Sequence, residues 1–152
     1  MDSHQPVFDE MRSVLQSSAH RQAKTERVAE IIRGAGRYRW VGIYEVDGEE
    51  IAAVAWSGLG RPTYPRFPSS QGLCGAAVRS GRTVVVGDVT KDPRYLTTFD
   101  TTRSEIVVPI SRSATGAALG LIDVESEELN AFTDDHRGFL ERCAALLADL
   151  WK

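Results

Sequence analysis

The sequence has few of the features that mark an exported or membrane-embedded protein. Its 152 residues include only two cysteines, which is too few for a disulfide framework. No apolar run approaches the roughly 20 residues that cross a bilayer. The first six residues are polar and acidic, whereas a secretory signal needs a basic stretch followed by an apolar one. We therefore expect a cytoplasmic protein that has no membrane partner.

Histidine and positive charge are also scarce. The formal net charge is −3 and the 18 lysines and arginines are scattered along the chain, so we expect no nucleic-acid partner. The three histidines, His4, His20 and His136, have no cysteine or paired carboxylate nearby at the spacing of metal ligands. We predict no metal site and no cofactor.

The composition that remains is that of one soluble globular domain. Hydrophobic residues make up 42% of the chain and charged residues 26%, and a chain of this length forms one hydrophobic core. There is no internal repeat and no low-complexity segment. We predict a single domain over residues 1–152, with residues 1–6 as a flexible tail.

The first and last parts of the chain have helical periodicity. Apolar residues recur at steps of three and four between Val7 and Arg33, which predicts a helix. In the polar stretch 16–25 this helix either breaks, with Thr25 as a possible new cap, or projects into solvent. Gly34 and Gly36 end this region. Thr133 is the expected cap of a final helix with one apolar stripe.

The middle of the chain has a β pattern. Asp47-Gly48 is a typical hairpin turn between two strand-like runs, and the long segment 57–70 that follows predicts a loop that walls a pocket. No regular alternation of strands and helices is present, so we predict an α+β fold with an antiparallel sheet and helices on one face. The other expected elements are a short helix over Gly72–Ser80, a buried strand over Val84–Val86, and antiparallel strands over 104–111 and 117–124 joined by a turn near Thr115-Gly116.

The two cysteines have different settings. Cys143 lies within the apolar stripe of the last helix, where a cysteine is usually an inert hydrophobe. Cys74 lies in the first turn of the predicted short helix, where the helix dipole lowers the pKa of a thiol. Cys74 is therefore the candidate catalytic residue, with a packing role as the alternative.

Two carboxylates and two aromatics form a second candidate group. Asp123 and Glu125 are two residues apart on a strand and share a face, as do Trp40 and Tyr44 four residues apart. Together they would form an aromatic box with an acidic end, which suits a cationic or zwitterionic molecule. The alternatives are solvated surface charges for the acids and core packing for the aromatics.

The order of several short motifs resembles that of a GAF domain. The resemblance covers nearly the whole chain and implies a small-molecule-binding module with a central antiparallel sheet of five to six strands, a pocket on one face, and the N- and C-terminal helices packed on the other. The motifs are Arg39-Trp40-Val41-Gly42-Ile43-Tyr44, Gln71-Gly72-Leu73-Cys74-Gly75, Val89-Thr90-Lys91-Asp92-Pro93-Arg94-Tyr95, Ser104-Glu105-Ile106-Val107-Val108-Pro109-Ile110 and Gly120-Leu121-Ile122-Asp123-Val124-Glu125-Ser126.

Among stand-alone GAF proteins, the chain resembles the free methionine-(R)-sulfoxide reductases. That resemblance implies that Trp40 and Tyr44 surround the apolar end of the ligand, and that Glu105, Asp123 and Glu125 hold its polar end. The family uses cysteines at three places, which fall here at Tyr64, Cys74 and about Thr98. Only Cys74 is a cysteine, so the resemblance implies a reductase-like protein without the sulfenic-acid-forming cysteine.

Three functional hypotheses follow. The first is a GAF domain that binds or senses a small polar or zwitterionic metabolite in signalling. The second is a divergent free methionine-(R)-sulfoxide reductase in which Cys74 acts with an external thiol. The third is a dimerisation module with a vestigial pocket, and in each case we expect a homodimer through the terminal helices.

Overall fold

The chain folds around one six-stranded antiparallel sheet. The computed structural model describes residues 3–113 and 116–151. The elements are α1 (Gln5–Gln16), α2 (Arg21–Gly36), β1 (Trp40–Asp47), β2 (Glu50–Gly58), β3 (Arg66–Pro68), α3 (Gly72–Ser80), β4 (Val84–Val86), β5 (Ser104–Ile110), β6 (Gly120–Ser126) and α4 (Asp134–Leu147), with short 3₁₀ segments at Val89–Lys91 and Ala148–Trp151. The strands lie in the order β3-β2-β1-β6-β5-β4.

The two faces of the sheet carry separate apolar clusters. On one face α1, α2 and α4 pack against strand residues such as Val41, Ile43 and Ile122. The other face holds Trp40 and Tyr44 and is covered by α3 and by the loops that flank it. The α+β prediction, with the terminal helices on one face, is confirmed. No helix in the described ranges is long and apolar enough to cross a membrane.

The predicted break in the N-terminal helix is confirmed, but two details were wrong. Helix α2 begins after His20, so Thr25 is not a cap. Its hydroxyl lies inside the helix and donates to the Arg21 carbonyl at 2.7 Å. The expected tail 1–6 is also too long, because α1 begins at Gln5 with Pro6 in its first turn, where the missing N–H of proline is not needed.

The strand predictions need smaller corrections. The segment 57–70 is not all loop, since β2 continues to Gly58 and Arg66–Pro68 pairs with it as β3. β4 is an edge strand, so Val85 is 42% exposed and the strand is not fully buried. β5 and β6 pair antiparallel as predicted. The predicted turn between them includes Thr115, which lies outside the described residues.

Gly42 makes room for the aromatic residues of the second face. A Cβ atom at this position would overlap the Trp40 ring and lie 2.9 Å from Cε1 of Tyr44. The rings of residues 40 and 44 therefore occupy the space that a side chain at position 42 would take. Since these rings lie 6.5 Å apart between centroids, the glycine sets how closely they approach.

We expect Gly42→Ala to destabilise the protein by about 1–3 kcal/mol, the usual cost of overpacking a core. Gly34→Ala is the matched control, because a Cβ at this helical position contacts nothing within 4 Å and should stabilise α2 by up to about 1 kcal/mol. Urea denaturation of both variants measures these changes. Equal stability of Gly42→Ala and wild type would contradict the packing argument.

Candidate functional site

The strand register brings three carboxylates together at the centre of the sheet. Glu105 of β5 lies directly opposite Glu125 of β6, and Trp40 of β1 lies on the other side of Glu125. One row further along, Asp123 is paired with Gly42. Residues two apart on a strand share a face, so the predicted grouping of acids and aromatics exists.

All three carboxylates are buried. Glu105, Asp123 and Glu125 are 3%, 1% and 2% exposed, so the alternative of solvated surface charges is excluded. None of the ion pairs within the described ranges includes them. A buried charge without a counterion is strongly unfavourable, and three together require protons or a bound cation.

Glu125 has the only hydroxyl partners of the group within the described chain. Its Oε1 accepts hydrogen bonds from Thr102 Oγ1 at 2.9 Å and from Tyr95 Oη at 3.2 Å. Its Oε2 and the Oδ1 of Asp123 are buried and accept none from the described N–H and hydroxyl groups. Two lone acceptor atoms therefore lie in the interior of the acidic group.

Burial and mutual repulsion shift the protonation of these groups. Burial raises the pKa of Glu105 and Glu125 well above the ordinary value of 4.5. The negative charge of a neighbouring carboxylate, Glu125 for Glu105 and Asp123 for Glu125, raises each pKa further. The pKa of Asp123 is raised in the same way, first by burial and then by Glu105. Without a ligand, these carboxyl groups stay protonated at pH values at which ordinary carboxyl groups ionise.

A small cavity lies against the acidic group, beneath the loops 59–65 and 92–103. Its volume is about 20 Å³, which is room for about one water molecule, so a larger ligand requires the loops to move apart. Carboxylates form one part of the wall and apolar side chains the rest. The lining residues are Tyr44, Tyr64, Phe67, Gly72, Leu73, Cys74, Leu96, Thr97, Thr98, Glu105 and Asp123.

Two of the predicted ligand residues lie in the layer behind this wall. Trp40 is fully buried, and its indole N–H donates to the Gly60 carbonyl at 2.9 Å, which fixes the loop 59–65 to the sheet. Glu125 contacts Tyr95 and Thr102 instead of the open space. The cavity itself is lined by Tyr44, Glu105 and Asp123.

Cys74 lies at the cavity wall, but its thiol is not activated. The expectation that the helix dipole lowers its pKa was wrong, because burial and the adjacent carboxylates, Asp123 first, raise the pKa well above 9.0. Cys143 is packed in the helical core, where burial raises its pKa to about 12. The two cysteines lie in different core clusters, on opposite faces of the sheet.

Sequence reasoning missed the loop residues that complete the site. The Thr98 N–H donates to Tyr95 Oη at 3.3 Å, and that hydroxyl donates to Glu125. Thr63 donates to the Thr98 carbonyl through both its N–H and its hydroxyl, which joins the two loops over the cavity. These contacts follow no periodic pattern, so no sequence signal pointed to them. Tyr64 and Thr98, where the resemblance places cysteines, both line the cavity.

Comparison with known proteins identifies the family. The sequence model of the GAF domain matches residues 22–151, which is most of the chain. The chain belongs to the GAF domain family. GAF domains bind small molecules.

Individual relatives include both a GAF domain protein and reductases. The chain is 27% identical over 147 residues to GAF domain-containing protein A of Dictyostelium discoideum, covering 96% of this chain and 90% of that protein. It is 33% identical over 109 residues to the free methionine-R-sulfoxide reductase of Saccharomyces cerevisiae, covering 71% of this chain but only 60% of the yeast protein. A solved structure of the Neisseria meningitidis free methionine-R-sulfoxide reductase in complex with its substrate is similar at a TM-score of 0.84 and 31% identity, covering 95% of this chain and 86% of that one.

We expect the stability of the ligand-free protein to fall as pH rises. A carboxyl whose pKa is raised on folding contributes stability that is complete below its unfolded pKa, near 4, and is lost as pH rises through the folded pKa, at about 1.4 kcal/mol per unit of difference. Asp123→Asn removes one such group. Between about pH 5 and pH 8, the stability of this variant should therefore fall less steeply than that of wild type.

Urea denaturation across this pH range, with a chelator present, measures the two slopes. Glu49→Gln is the control, because Glu49 is an exposed carboxylate and its loss should leave the slope unchanged. Parallel pH dependences of Asp123→Asn and wild type would show that Asp123 is not protonated in the folded state.

Proposed function

We propose that this GAF domain binds a small zwitterionic metabolite and holds its protonated amine against the buried carboxylates. The observation that supports this most directly is the buried Oδ1 atom of Asp123 at the cavity wall, which no described N–H or hydroxyl reaches. An ammonium group supplies three donors and a positive charge. It would satisfy this acceptor and offset the repulsion among the acids.

The cavity suits the rest of such a molecule. Its apolar wall includes Tyr44, Phe67, Leu73 and Leu96, and the Tyr44 and Phe67 rings meet edge to face at 5.9 Å. An apolar side chain would pack there while the amine faces Glu105 and Asp123. The buried acids disfavour the phosphates of a nucleotide, because like charges repel strongly where water is excluded.

Entry of the ligand requires the loops over the cavity to separate. Thr63 and Thr98 hold loops 59–65 and 92–103 together through two hydrogen bonds. Thr63 is exposed and Thr98 is half-buried, so this contact lies at the surface of the protein. A sensing role follows naturally, because ligand occupancy then changes how these loops are held.

A screen of free amino acids, their N-acetyl derivatives and simple amines by thermal shift tests the proposal. A ligand at about 100 times its Kd stabilises a protein by about 2.7 kcal/mol. The N-acetyl derivative of any amino acid that binds should give no shift, because acetylation removes the positive charge. Asp123→Asn should weaken binding at least about tenfold, since it removes a charged acceptor from a buried contact.

Glu49→Gln serves as the control for a lost exposed carboxylate and should bind as wild type does. Equal binding of a free amino acid and its N-acetyl derivative would contradict the assignment of the acidic group. So would unchanged affinity in Asp123→Asn.

A second candidate is reduction of free methionine-(R)-sulfoxide at Cys74. The similarity to the Neisseria meningitidis enzyme and the place of Cys74 at the cavity favour it. In this reaction the Cys74 thiol would attack the sulfoxide sulfur and take its oxygen as a sulfenic acid, which releases methionine. A first external thiol would form a mixed disulfide with loss of water, and a second would regenerate Cys74 and leave with the first as a disulfide.

The raised pKa of the thiol opposes this candidate, because the thiolate is the nucleophile and Asp123 and Glu105 disfavour it. We expect no turnover of methionine-(R)-sulfoxide when NADPH consumption is coupled through thioredoxin. The matched variants are Cys74→Ser and Cys143→Ser, which remove a thiol from the cavity and from the helical core. Turnover in wild type and Cys143→Ser that disappears in Cys74→Ser would make the protein a reductase. The homodimer through the terminal helices stays a prediction.

A further inference from the structure

We propose that Cys74, Glu105 and Asp123 form a binding site for Zn²⁺ at the wall of the cavity. The Cys74 Sγ and one carboxylate oxygen from each acid all lie within 4.8 Å of one another. The three side chains come from α3, β5 and β6, and all are buried. This site goes beyond the proposed amine binding, although the two ligands would share Asp123.

The set of donor atoms selects the metal. Zn²⁺ takes cysteine sulfur and carboxylate oxygen together, at about 2.3 Å and 2.0–2.2 Å, in tetrahedral geometry. Mg²⁺ and Ca²⁺ take oxygen ligands only, so a site that includes a thiolate disfavours them. Three protein ligands would leave a fourth position open, and all three side chains line the cavity.

The Oδ1 atom of Asp123 is a second observation, separate from the clustering of the three side chains, that indicates a cation at this site. Asp123 is 1% exposed and lines the cavity, and its Oδ1 accepts no hydrogen bond from the described N–H and hydroxyl groups. Buried polar atoms are nearly always satisfied by the protein, by water or by an ion. A cation at the wall would satisfy this atom.

The neighbouring groups would support a bound ion. Glu125 lies two residues from Asp123 on the same face of β6, and its Oε1 is held by Thr102 and Tyr95. Such outer partners orient the carboxylates that bind a metal. When Zn²⁺ binds, the Cys74 proton leaves, because a coordinated thiol is deprotonated.

Tag-free protein that has been treated with a chelator tests the site. Zn²⁺ affinity is measured by competition with a chromophoric chelator, and Co²⁺ is the spectroscopic probe, since a cobalt–thiolate bond gives an intense charge-transfer band in the near ultraviolet. We expect one ion per chain and a thiolate band. Cys74→Ser should abolish the band, and both Cys74→Ser and Asp123→Asn should weaken Zn²⁺ binding at least about tenfold.

Cys143→Ser is the matched control, because it removes the other thiol and should retain the band and the affinity. Thermal unfolding of each variant shows that it is folded before binding is measured. Absence of Zn²⁺ binding in wild type, a Co²⁺ complex without the thiolate band, or wild-type affinity in Cys74→Ser or Asp123→Asn would overturn the proposal.

The outcomes for the metal and for the metabolite are separable. Amine binding that survives in Cys74→Ser, together with absent Zn²⁺ binding in wild type, would overturn the metal site alone. Zn²⁺ binding without any amine binding would overturn the metabolite proposal alone. If both hold, an amine ligand should weaken Zn²⁺ binding, because each needs Asp123.

Discussion

Glu105 and Glu125 lie directly opposite each other on neighbouring strands, with Asp123 one row away, and all three are buried. Like charges placed opposite each other destabilise a sheet, and burial adds to the cost. The ligand-free protein accommodates them by keeping protons on groups that would otherwise ionise. A cationic ligand offers another way to relieve the same repulsion, so the acidic group links stability, protonation and binding.

The sheet separates the buried acids from the larger of the two apolar clusters. One face packs against α1, α2 and α4 in an extended apolar core that contains Cys143 but none of the three acids. The other face carries the aromatics, Cys74 and the acidic group beneath α3 and two loops. Gly42 belongs to this second face, where it lets Trp40 and Tyr44 occupy the space beside Asp123.

The setting of Cys74 bears on how members of this family differ. At the positions where the resemblance places the other two cysteines, Tyr64 and Thr98 line the same cavity. A lone thiol among carboxylates is a poor nucleophile, because negative neighbours disfavour the thiolate. The same carboxylates are the reason for proposing a cation site at this thiol.

Local patterns in the sequence determined the α+β class, the break in the first helical region and the shared faces of Trp40 with Tyr44 and of Asp123 with Glu125. They also located the first hairpin, although its two loop residues are Gly48 and Glu49 instead of the predicted Asp47 and Gly48, since Asp47 pairs with Glu50. These features depend on periodicity and turn chemistry within a few residues. The family motifs added the grouping of the acids with the aromatics.

Only the tertiary structure decided that the acids are buried, that Trp40 supports a loop instead of lining the cavity, and that the thiol of Cys74 has a raised pKa. It also brought Tyr95, Thr98 and Thr102 to the acidic group. Each of these depends on contacts between segments far apart in the chain. Burial and the charges of neighbours, which set protonation and reactivity, exist only once those segments have packed together.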